Sequence, residues 1–298
     1  MRFFVILIFV LEREKFKKRI LDFYEQKGRN QLPWRKNISS YRVLVSEIML
    51  QQTQVERVIP FFEKWMKELP NIEKLAMAKQ SDLLRLWKGL GYNSRALRLQ
   101  KCAQTIIHDH NGIIPQDYKK LLDLPGIGPY TAGALMNFAF NIWTPFVDTN
   151  MRRVFIYHFF FDQEKVSDRE ILVKMQEVGY ARDARTWAYA LMDYGAHLGK
   201  ILKKNPNRKS KHYSKQSKFI GSERQIRGKI LEILLIQKKH KISEEKLLNL
   251  LREDGVWALF REAQASSKKR PEQSLKKILS KMEAEGFLVR EKKSITLR

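Results

Sequence analysis

The stretch LLDLPGIGPYTAGALMNFAFNIWTPFVDTN, residues 121–150, decides how the chain is organised. Its Leu-Pro pair ends one helix, because the residue before a proline is displaced from the helical region. Gly126 and Gly128 permit positive φ angles and a close backbone approach that side chains would block. Pro129 suits the first turn of a second helix, predicted over residues 130–140, whose free N–H groups can bind a phosphate. The stretch therefore predicts either a phosphate-binding turn or an ordinary turn between two helices.

A single carboxylate follows the second helix. Asp148 lies eight residues after Phe140 and just before a basic helix that begins near Met151. A carboxylate in this position can accept hydrogen bonds from the first N–H groups of the helix, as an N-cap. It can also serve as a reactive anion. The spacing alone leaves both interpretations open.

The chain is long and strongly basic. Its 298 residues include 57 lysines and arginines against 32 aspartates and glutamates, a net charge of +25. A hydrophobic content of 44% excludes wholesale disorder, so the excess charge lies on a folded surface. Such a surface favours a polyanion, and we predict nucleic acid. We expect two or three domains in a cytoplasmic, nucleoid-associated protein that acts as a monomer.

Cysteine is almost absent. Cys102 is the one cysteine in the sequence. One thiol cannot form an intramolecular disulfide, a cysteine-based zinc site or an iron–sulfur cluster. We therefore predict a buried, inert thiol, no metal and no cofactor.

The N-terminus, MRFFVILIFVL at residues 1–11, is strongly apolar. It is shorter than the ~20 residues that span a bilayer, and it lacks the small-residue cleavage site of a signal peptide. We expect a strand-like or helical extension that packs on the protein, without stable membrane association. A membrane tether is the alternative.

A second carboxylate, Glu47, lies within the apolar run at residues 41–50. A charge there is costly to bury, so a buried Glu47 has a raised pKa and suits a general acid near neutral pH. A position on the wet face of the helix is the alternative. Gln51, Gln52 and Thr53 follow at once, and they offer hydrogen bonds either to bases or to solvent.

A second glycine turn surrounds Gly91. Leu90 and Tyr92 flank this glycine, and such a turn can present an apolar and an aromatic side chain as a wedge between bases. Apolar residues recur at helical spacing on both sides. No alternating strand pattern occurs through residue 199, so we predict an all-α core.

Five motifs occur in the order and spacing of a known family. They are LPWR at 32–35, SEIMLQQTQV at 46–55, LWKGLGY at 86–92, LPGIGPYTAGA at 124–134 and VDTNMRRV at 147–154. Together they resemble the MutY-type adenine DNA glycosylases of the helix–hairpin–helix, Gly/Pro, Asp superfamily. The resemblance covers most of residues 16–198. It implies a two-lobed helical core that acts on double-stranded DNA containing a mismatch.

The resemblance also implies a reaction. Family members flip a mispaired adenine out of the duplex and hydrolyse its N-glycosidic bond. By the family pattern, Glu47 protonates the adenine, and Asp148 stabilises the oxocarbenium-like sugar, as paired carboxyls do in glycoside hydrolysis. Tyr130 and Asn150 match the positions that orient these carboxyl groups. Since strand-cleaving relatives carry a lysine in place of Tyr130, we expect a monofunctional glycosylase.

Two further groups of residues follow from the resemblance. The adenine pocket corresponds to Trp34, Arg35 and Leu50. The residues that read or fill the opened base stack correspond to Gln52, Thr53 and Tyr92. Base extrusion costs a few kcal/mol and least at a mismatch, so such contacts help to select the lesion.

The chain departs from the family after residue 198. Most members continue into four cysteines that bind a [4Fe–4S] cluster, whereas residues 200–218 are basic and contain neither cysteine nor acid. The chain therefore resembles the clusterless variants. We predict that this segment contacts phosphates, and a disordered linker is the alternative. The predicted contacts are Lys203, Lys204, Arg208, Lys209 and Lys211.

Residues 222–298 form a separate unit. The pattern predicts helices that begin near residues 222, 244 and 271, then a hairpin over residues 286–297. It resembles a winged helix, a module that binds either DNA or a protein. It does not resemble the domain by which typical family members recognise 8-oxoguanine. The base preferred opposite the adenine, guanine or 8-oxoguanine, therefore stays open.

The predicted fold class is mainly α, with a winged-helix-like α+β domain at the C-terminus. Its four segments are an apolar extension (1–15), a glycosylase core (16–199), a basic linker (200–221) and the winged-helix-like domain (222–298). A thymine or uracil mismatch glycosylase is the rival enzyme, although Gln51 and Gln52 stand where that class usually has basic residues. A non-catalytic DNA-binding protein is the other alternative. The joint retention of four residues argues against it: Glu47, Tyr130, Asp148 and Asn150.

Overall fold

The computed structural model describes residues 2–214, 218–265, 271–291 and 294–298. Helices α1 to α8 are Arg2–Lys27, Ser40–Leu50, Val55–Glu68, Ile72–Met77, Gln80–Trp87, Ser94–His110, Tyr118–Asp123 and Pro129–Phe138. Helices α9 to α15 are Thr149–Phe159, Asp168–Val178, Ala184–Ile201, Glu223–Ile236, Glu244–Glu253, Val256–Ala265 and Pro271–Ala284. Three short strands, β1 to β3, are Lys241–Ser243, Leu288–Glu291 and Ser294–Leu297. Short 3₁₀ helices span Pro33–Arg35, Pro206–Lys209 and Lys238–His240. The prediction of a mainly α-helical protein is confirmed.

The chain divides into two compact units that interleave along the sequence. Unit 1 comprises Met1–Met66 and Thr105–Lys215, and unit 2 comprises Lys67–Gln104 and Gln216–Arg298. The segment predicted as one continuous core, residues 16–199, thus contributes to both units. The order of motifs in a sequence does not show which segments pack together, because packing joins apolar faces that are far apart along the chain.

In unit 1, α9 and α11 approach each other at a glycine. A Cβ added to Gly195 would lie 2.3 Å from the main-chain oxygen of Asn150, so only glycine permits this approach. Phe155 of α9 and Trp187 of α11 are fully buried here, and both rings meet the edge of Phe16 from α1, with centroids 5.8 and 6.0 Å apart. The aromatic cluster therefore joins three helices behind the start of α9.

Unit 2 contains the whole sheet and a core of its own. The strand order is β1–β3–β2, with both pairs antiparallel, and Ile242 of β1 is opposite Ile295 of β3. Helices α12 to α15 cover the sheet through buried apolar residues that include Ile230, Leu247 and Phe260. Leu84 of α5 belongs to the same core, so the C-terminal helices and residues 67–104 fold as one body.

Several element boundaries differ from the prediction. The apolar N-terminus is part of a single helix, α1, that continues to Lys27, so no boundary falls at residue 15. Neither α14 nor β1 was predicted, because each is short and its apolar residues lack a clear period. Of the predicted positions, Met1, residues 215–217 of the linker, and Lys292 and Lys293 of the hairpin turn lie outside the described residues. Within the described part of the chain, no helix is long and apolar enough to cross a membrane.

The contact at Gly195 makes a prediction for stability. We expect Gly195→Ala to lower the free energy of unfolding by about 1–3 kcal/mol, because the added methyl group forces α9 away from α11. The matched control is Gly228→Ala in α12, where an added Cβ meets nothing within 4 Å. That change should stabilise its helix by up to about 1 kcal/mol. Urea unfolding followed by circular dichroism measures both, and equal effects would contradict the interpretation of Gly195.

Candidate active site

The centre of the site is a buried carboxyl group on α2. The side chain of Glu47 is 3% exposed, and the helix around it is buried on nearly every side. The hydroxyl of Tyr130, in the first turn of α8, donates a hydrogen bond of 2.5 Å to Oε2 of Glu47. The sequence predicted that Glu47 would be buried, and the structure places it so. Its proximity to Tyr130 depends on the packing of α2 against α8.

The pKa of Glu47 suits a general acid that acts near neutral pH. It is raised from 4.5 to about 7, chiefly by burial and to a smaller extent by the negative charge of Asp148. The hydrogen bond from Tyr130 and the charge of Arg35 oppose this rise. Burial also raises the pKa of Tyr130 well above its ordinary value, so the phenol stays a hydrogen-bond donor. A proton on Glu47 is therefore available at neutral pH.

Asp148 is held at the N-terminus of α9 by two hydrogen bonds. Its Oδ1 accepts from the main-chain N–H of Met151 at 2.6 Å, and its Oδ2 accepts from Nδ2 of Asn150 at 3.0 Å. Burial raises the pKa of Asp148 above its ordinary value, and these donors and the charge of Arg152 offset only part of the rise. Asp148 is therefore the N-cap of α9, and its second oxygen is held by Asn150, whereas its role as a reactive anion stays a prediction.

A buried arginine fixes the orientation of Asn150. Nη1 of Arg153 donates to Oδ1 of Asn150 at 3.0 Å and to the main-chain oxygen of Gly195 at 2.5 Å. Because the amide oxygen is occupied in this way, the amide nitrogen of Asn150 faces Asp148. Sequence reasoning missed Arg153, which reads as one more basic residue in a basic helix. Its spacing of three residues from Asn150 is the signal that could have revealed it.

The chain that leads to Asp148 runs close along α8. A Cβ added to Gly133 would lie 2.5 Å from Cβ of Phe146, so glycine permits this passage. The buried amide of Asn137 donates to the main-chain oxygens of Gly133 and Thr144, at 2.8 and 2.6 Å. The segment before Asp148 is thereby attached to the helix that carries Tyr130, which brings Glu47, Tyr130 and Asp148 within electrostatic reach of one another.

Arg35, predicted to line a base pocket, is held in a buried ion pair. Its Nη1 and Nη2 donate to the two oxygens of Asp193 at 2.7 and 2.9 Å, and Arg29 adds a further hydrogen bond of 2.7 Å. The guanidinium lies over the ring of Tyr189, 4.0 Å from its centroid. Nε of Arg35 is buried and has no hydrogen-bond partner among the described residues. Arg35 thus brings positive charge near Glu47.

Asp193 is a residue that sequence reasoning missed. Burial alone would raise its pKa, but the hydrogen bonds and charges of Arg35 and Arg29 outweigh burial and lower it. Asp193 lies 158 residues from Arg35 along the chain. No local pattern could have paired them.

The remaining predicted pocket and reading residues of unit 1 lie around the end of α2. Trp34 is buried, with its ring edge against Phe62 at 5.5 Å. Leu50 is the last residue of α2 and is half-buried. Gln51 donates a long hydrogen bond of 3.4 Å to Oγ1 of Thr131, the neighbour of Tyr130. The turn after α2 therefore lies beside the helix that carries Tyr130.

Gln52 and Thr53 complete this turn. Gln52 is exposed and has a positive φ of 53°, a conformation that side chains rarely adopt. Thr53 donates from Oγ1 to the main-chain oxygen of Gln51 at 3.2 Å. Such strain in an exposed glutamine is common where a side chain has to be presented to a ligand.

The glycine turn before α8 leaves the N-terminus of that helix open. Gly126 has a φ of 79°, as predicted. The same expectation is wrong for Gly128, whose φ is −101°. A Cβ on Gly128 would meet nothing within 4 Å, and no side chain caps α8. The missing side chain thus keeps space clear over N–H groups that can bind a phosphate.

The basic segment after α11 is attached to the rest of unit 1 through its main chain and the side chain of Asn207. Nδ2 of Asn207 donates to the main-chain oxygen of Thr149 at 2.9 Å, and Val166 exchanges main-chain hydrogen bonds with this segment. Of its predicted DNA contacts, Lys203, Lys204, Arg208 and Lys211 are exposed. Lys209 instead pairs with Glu164 and donates to the main chain of Phe161.

The residues of this basic segment do not fit an iron–sulfur cluster, since none of them is a cysteine. Such a cluster needs four thiolates, whereas the chain has one cysteine, Cys102. That thiol is buried in α6, and burial raises its pKa to about 12. Across the described residues, no group of three or more His, Cys, Asp and Glu side chains could hold a metal ion.

Leu90, Gly91 and Tyr92 belong to unit 2. Leu90 is only 4% exposed, so its side chain is not presented at the surface in this structure, and the wedge stays a prediction. A leucine between two glycines reads as exposed in the sequence, but its side chain is buried here. Gly91 has a φ of 77°, and its main-chain oxygen accepts from Nε1 of Trp87 at 3.1 Å. Tyr92 is half-buried, with a φ of 48°.

The buried ion pair of Asp193 makes a prediction for stability. We expect Asp193→Asn to lower the free energy of unfolding by about 3–5 kcal/mol at pH 7, because it leaves the buried charge of Arg35 uncompensated. The matched control, Asp168→Asn, removes a more exposed pair with Arg152 and should cost about 1 kcal/mol or less.

The same pair has a defined pH dependence. Since the folded pKa of Asp193 is lowered, its contribution is complete above the unfolded value and is lost as the pH falls through the folded value. The stability difference between wild type and Asp193→Asn should therefore shrink below about pH 4. Urea unfolding between pH 3 and 7 measures it, and a difference that persists undiminished at pH 3 would contradict this interpretation.

Known proteins resemble this chain in sequence and in fold. The family model for HhH-GPD superfamily base excision DNA repair proteins matches residues 45–178. The adenine DNA glycosylase of Buchnera aphidicola subsp. Baizongia pistaciae (strain Bp) is 34% identical over 255 residues, an alignment that covers 81% of this chain and 71% of the relative. The adenine DNA glycosylase of Mycobacterium tuberculosis (strain ATCC 25618 / H37Rv) is 35% identical over 240 residues, which are 72% of this chain and 77% of that protein.

A solved structure of a DNA glycosylase also has a similar fold. The structure of a thermostable thymine-DNA glycosylase has a TM-score of 0.58 and 27% sequence identity, and it covers 65% of this chain and 90% of its own. The resemblance inferred from the five motifs is thus confirmed by alignments that extend over most of the chain. The chain belongs to the adenine DNA glycosylases of the HhH-GPD superfamily of base excision DNA repair proteins.

Proposed function

We propose that the protein removes adenine from mispaired positions in double-stranded DNA by hydrolysing the N-glycosidic bond, acting as a monomer and without cleaving the strand. One observation carries this proposal. A carboxyl group with a pKa of about 7, Glu47, lies within electrostatic reach of a second carboxylate, Asp148, that is held by two hydrogen-bond donors. Such a pair suits a reaction that needs an acid for the leaving group and an anion for the sugar.

The proposed reaction begins with proton transfer from Glu47 to N7 of the extruded adenine. The bond between C1′ of the sugar and N9 then breaks, and its electron pair leaves with the base, which departs neutral because N7 carries the proton. The positive charge that develops on the sugar is stabilised by Asp148, whose charge Asn150 and Met151 maintain through their hydrogen bonds. Water adds to C1′ and gives a proton back to Glu47, which restores the acid.

Tyr130 is the reason to propose a monofunctional enzyme. Strand cleavage through a Schiff base requires an amine at the sugar carbon, and a phenol cannot form one. The Tyr130 hydroxyl is instead committed to Glu47 at 2.5 Å. In the proposed reaction it holds the Glu47 carboxyl in place before and after the proton leaves.

The proposed DNA contacts use backbone N–H groups and exposed cations. The open N-terminus of α8 after Gly128 can bind one phosphate. The exposed basic residues of the segment after α11 supply further phosphate contacts. We propose that these contacts replace those of a cluster-supported loop, so that the protein works without an iron–sulfur cluster.

A mismatch glycosylase for thymine or uracil is the second candidate. The observation that favours it is the fold similarity to a thermostable thymine-DNA glycosylase, with a TM-score of 0.58 over 65% of the chain. The two relatives named adenine DNA glycosylase align over more of the chain and at higher identity. Adenine is therefore the preferred substrate of the proposal.

The test is an excision assay on defined duplexes. Purified protein is incubated with duplexes that each contain one A·8-oxoguanine, A·G, G·T or G·U pair, and hot alkali then reveals abasic sites. We expect breaks at adenine only, and only after alkali. Breaks at thymine or uracil would move the assignment to the second candidate. Breaks without alkali would contradict the monofunctional proposal, and tight binding without breaks would leave a non-catalytic DNA-binding protein.

The proposed acid makes a prediction for the pH profile. Single-turnover excision should fall as the pH rises past about 7, because Glu47 then loses its proton. Glu47→Gln should lower the rate by about 10²-fold or more, which is the usual contribution of a general acid. Tyr130→Phe removes a donor that stabilises the carboxylate, so the midpoint of the profile should move to higher pH. A midpoint that stays in place or moves to lower pH would exclude Tyr130 from this role.

The basic segment makes a prediction for salt dependence. One variant replaces four exposed cations with glutamine: Lys203, Lys204, Arg208 and Lys211. The slope of log K against log salt concentration should become shallower by about 3–4, because each lost phosphate contact changes it by about 0.9. The control variant replaces four exposed lysines of α1 and α3 with glutamine: Lys15, Lys18, Lys64 and Lys67. Equal slopes for the two variants would show that only net charge matters.

A further inference from the structure

The C-terminal helices pack directly on the segment that carries Tyr92. Besides the shared core at Leu84, Nε2 of Gln80 donates to the main-chain oxygen of Gly286 at 3.0 Å. Lys88 pairs with Glu232 of α12 at 3.0 Å. These contacts all lie within unit 2. The winged-helix-like domain and the turn before α6 therefore behave as one body.

One of these contacts reaches Tyr92 itself. Nη1 of Arg224, in the first turn of α12, donates to the Tyr92 hydroxyl at 2.7 Å. Two guanidinium groups lie near the ring of Tyr92, with Cζ of Arg95 at 5.5 Å and Cζ of Arg224 at 5.6 Å from its centroid. Nη2 of Arg95 also donates to the main-chain oxygen of Gly91 at 3.0 Å. Both the hydroxyl and the ring of Tyr92 are thus fixed by arginines.

The arrangement has the chemistry of a nucleobase site. An aromatic ring offers a stacking surface, and adjacent arginines add donors that match the acceptor-rich edges of purines. The positive φ of Tyr92 shows that the turn holds this residue in a conformation that a tyrosine rarely adopts. The hydrogen bonds from Arg95 to Gly91 and from Arg224 to Tyr92 stabilise that conformation.

We propose that Arg224 is a positioning residue for Tyr92, so that the C-terminal domain determines how strongly the enzyme distinguishes the base opposite the adenine. This inference rests on the proposed function, in which Tyr92 contacts the opened stack. It assigns a role to a domain that does not resemble the 8-oxoguanine-reading domain of typical family members. The domain contributes through one side chain that holds the reading residue, and it needs no base pocket of its own.

The test compares excision rates for three opposite bases. Single-turnover rates are measured on duplexes with adenine opposite 8-oxoguanine, guanine or cytosine, for wild type and Arg224→Ala. The readout is the ratio of the rate opposite each purine to the rate opposite cytosine. We expect Arg224→Ala to lower this ratio by about tenfold, the factor that corresponds to one charge-assisted hydrogen bond. Arg224→Lys should restore part of the ratio, because lysine keeps a charged donor.

The matched control is Arg227→Ala on the same helix. Arg227 pairs with Glu285 and lies over the ring of Phe287, 5.6 Å from its centroid, so it also joins elements of unit 2 but does not contact Tyr92. We expect this variant to keep the wild-type ratio. Tyr92→Phe, which removes the hydroxyl alone, should lower the ratio as Arg224→Ala does. The ratio of the double variant should be no lower than that of either single variant, because both changes break the same hydrogen bond, between Arg224 and the Tyr92 hydroxyl.

The outcomes separate the inference from the proposed function. A ratio that Arg224→Ala leaves unchanged, or that falls equally in Arg227→Ala, overturns the inference while the adenine activity stands. Independent, additive losses in the Arg224 and Tyr92 variants also overturn it. A wild-type protein that removes no adenine from any duplex overturns the proposed function and the inference together.

Discussion

The architecture of unit 1 depends on one constraint. A carboxyl group lies among apolar side chains and must still have a hydrogen-bond partner. Glu47 can be buried only because α8 brings the Tyr130 hydroxyl to it. The same helix must let the chain with Asp148 pass close by, which Gly133 permits. The helix after Asp148 must in turn approach α11, which requires Gly195. The two glycines therefore serve the geometry of two carboxyl groups, and their small size is a condition of the chemistry.

Three buried or partly buried acids in one unit have different pKa values for a simple reason. Glu47 has one strong donor, Tyr130, so burial dominates and the group keeps its proton near neutral pH. Asp148 has donors from Met151 and Asn150, which oppose the effect of burial. Asp193 faces two arginines, and its charge is stabilised outright. The number and charge of the donors, more than the depth of burial, decide which acid can give a proton and which is a structural anion.

Much of the site could be predicted from the sequence, because the decisive signals are local. An acid within an apolar run predicted the burial of Glu47, and the glycine turn predicted the break between α7 and α8. Contacts between residues that are distant along the chain could not be predicted from the sequence. Asp193 finds its arginines across more than 150 residues, and Arg153 acts through Gly195 of another helix. Leu90 is buried although it lies in a glycine turn, which no local pattern indicates. The division into interleaved units has the same cause.

That division has a consequence for the order of folding. During synthesis, residues 67–104 emerge before the 111 residues that complete unit 1, and their packing partners in α12 to α15 emerge last. Until then, the apolar face that includes Leu84 has no core to join. Closing so long a loop is a slow, non-local step. Until α12 to α15 have emerged, the nascent chain thus presents a hydrophobic surface to chaperones, and the turn that carries Tyr92 lacks its native support.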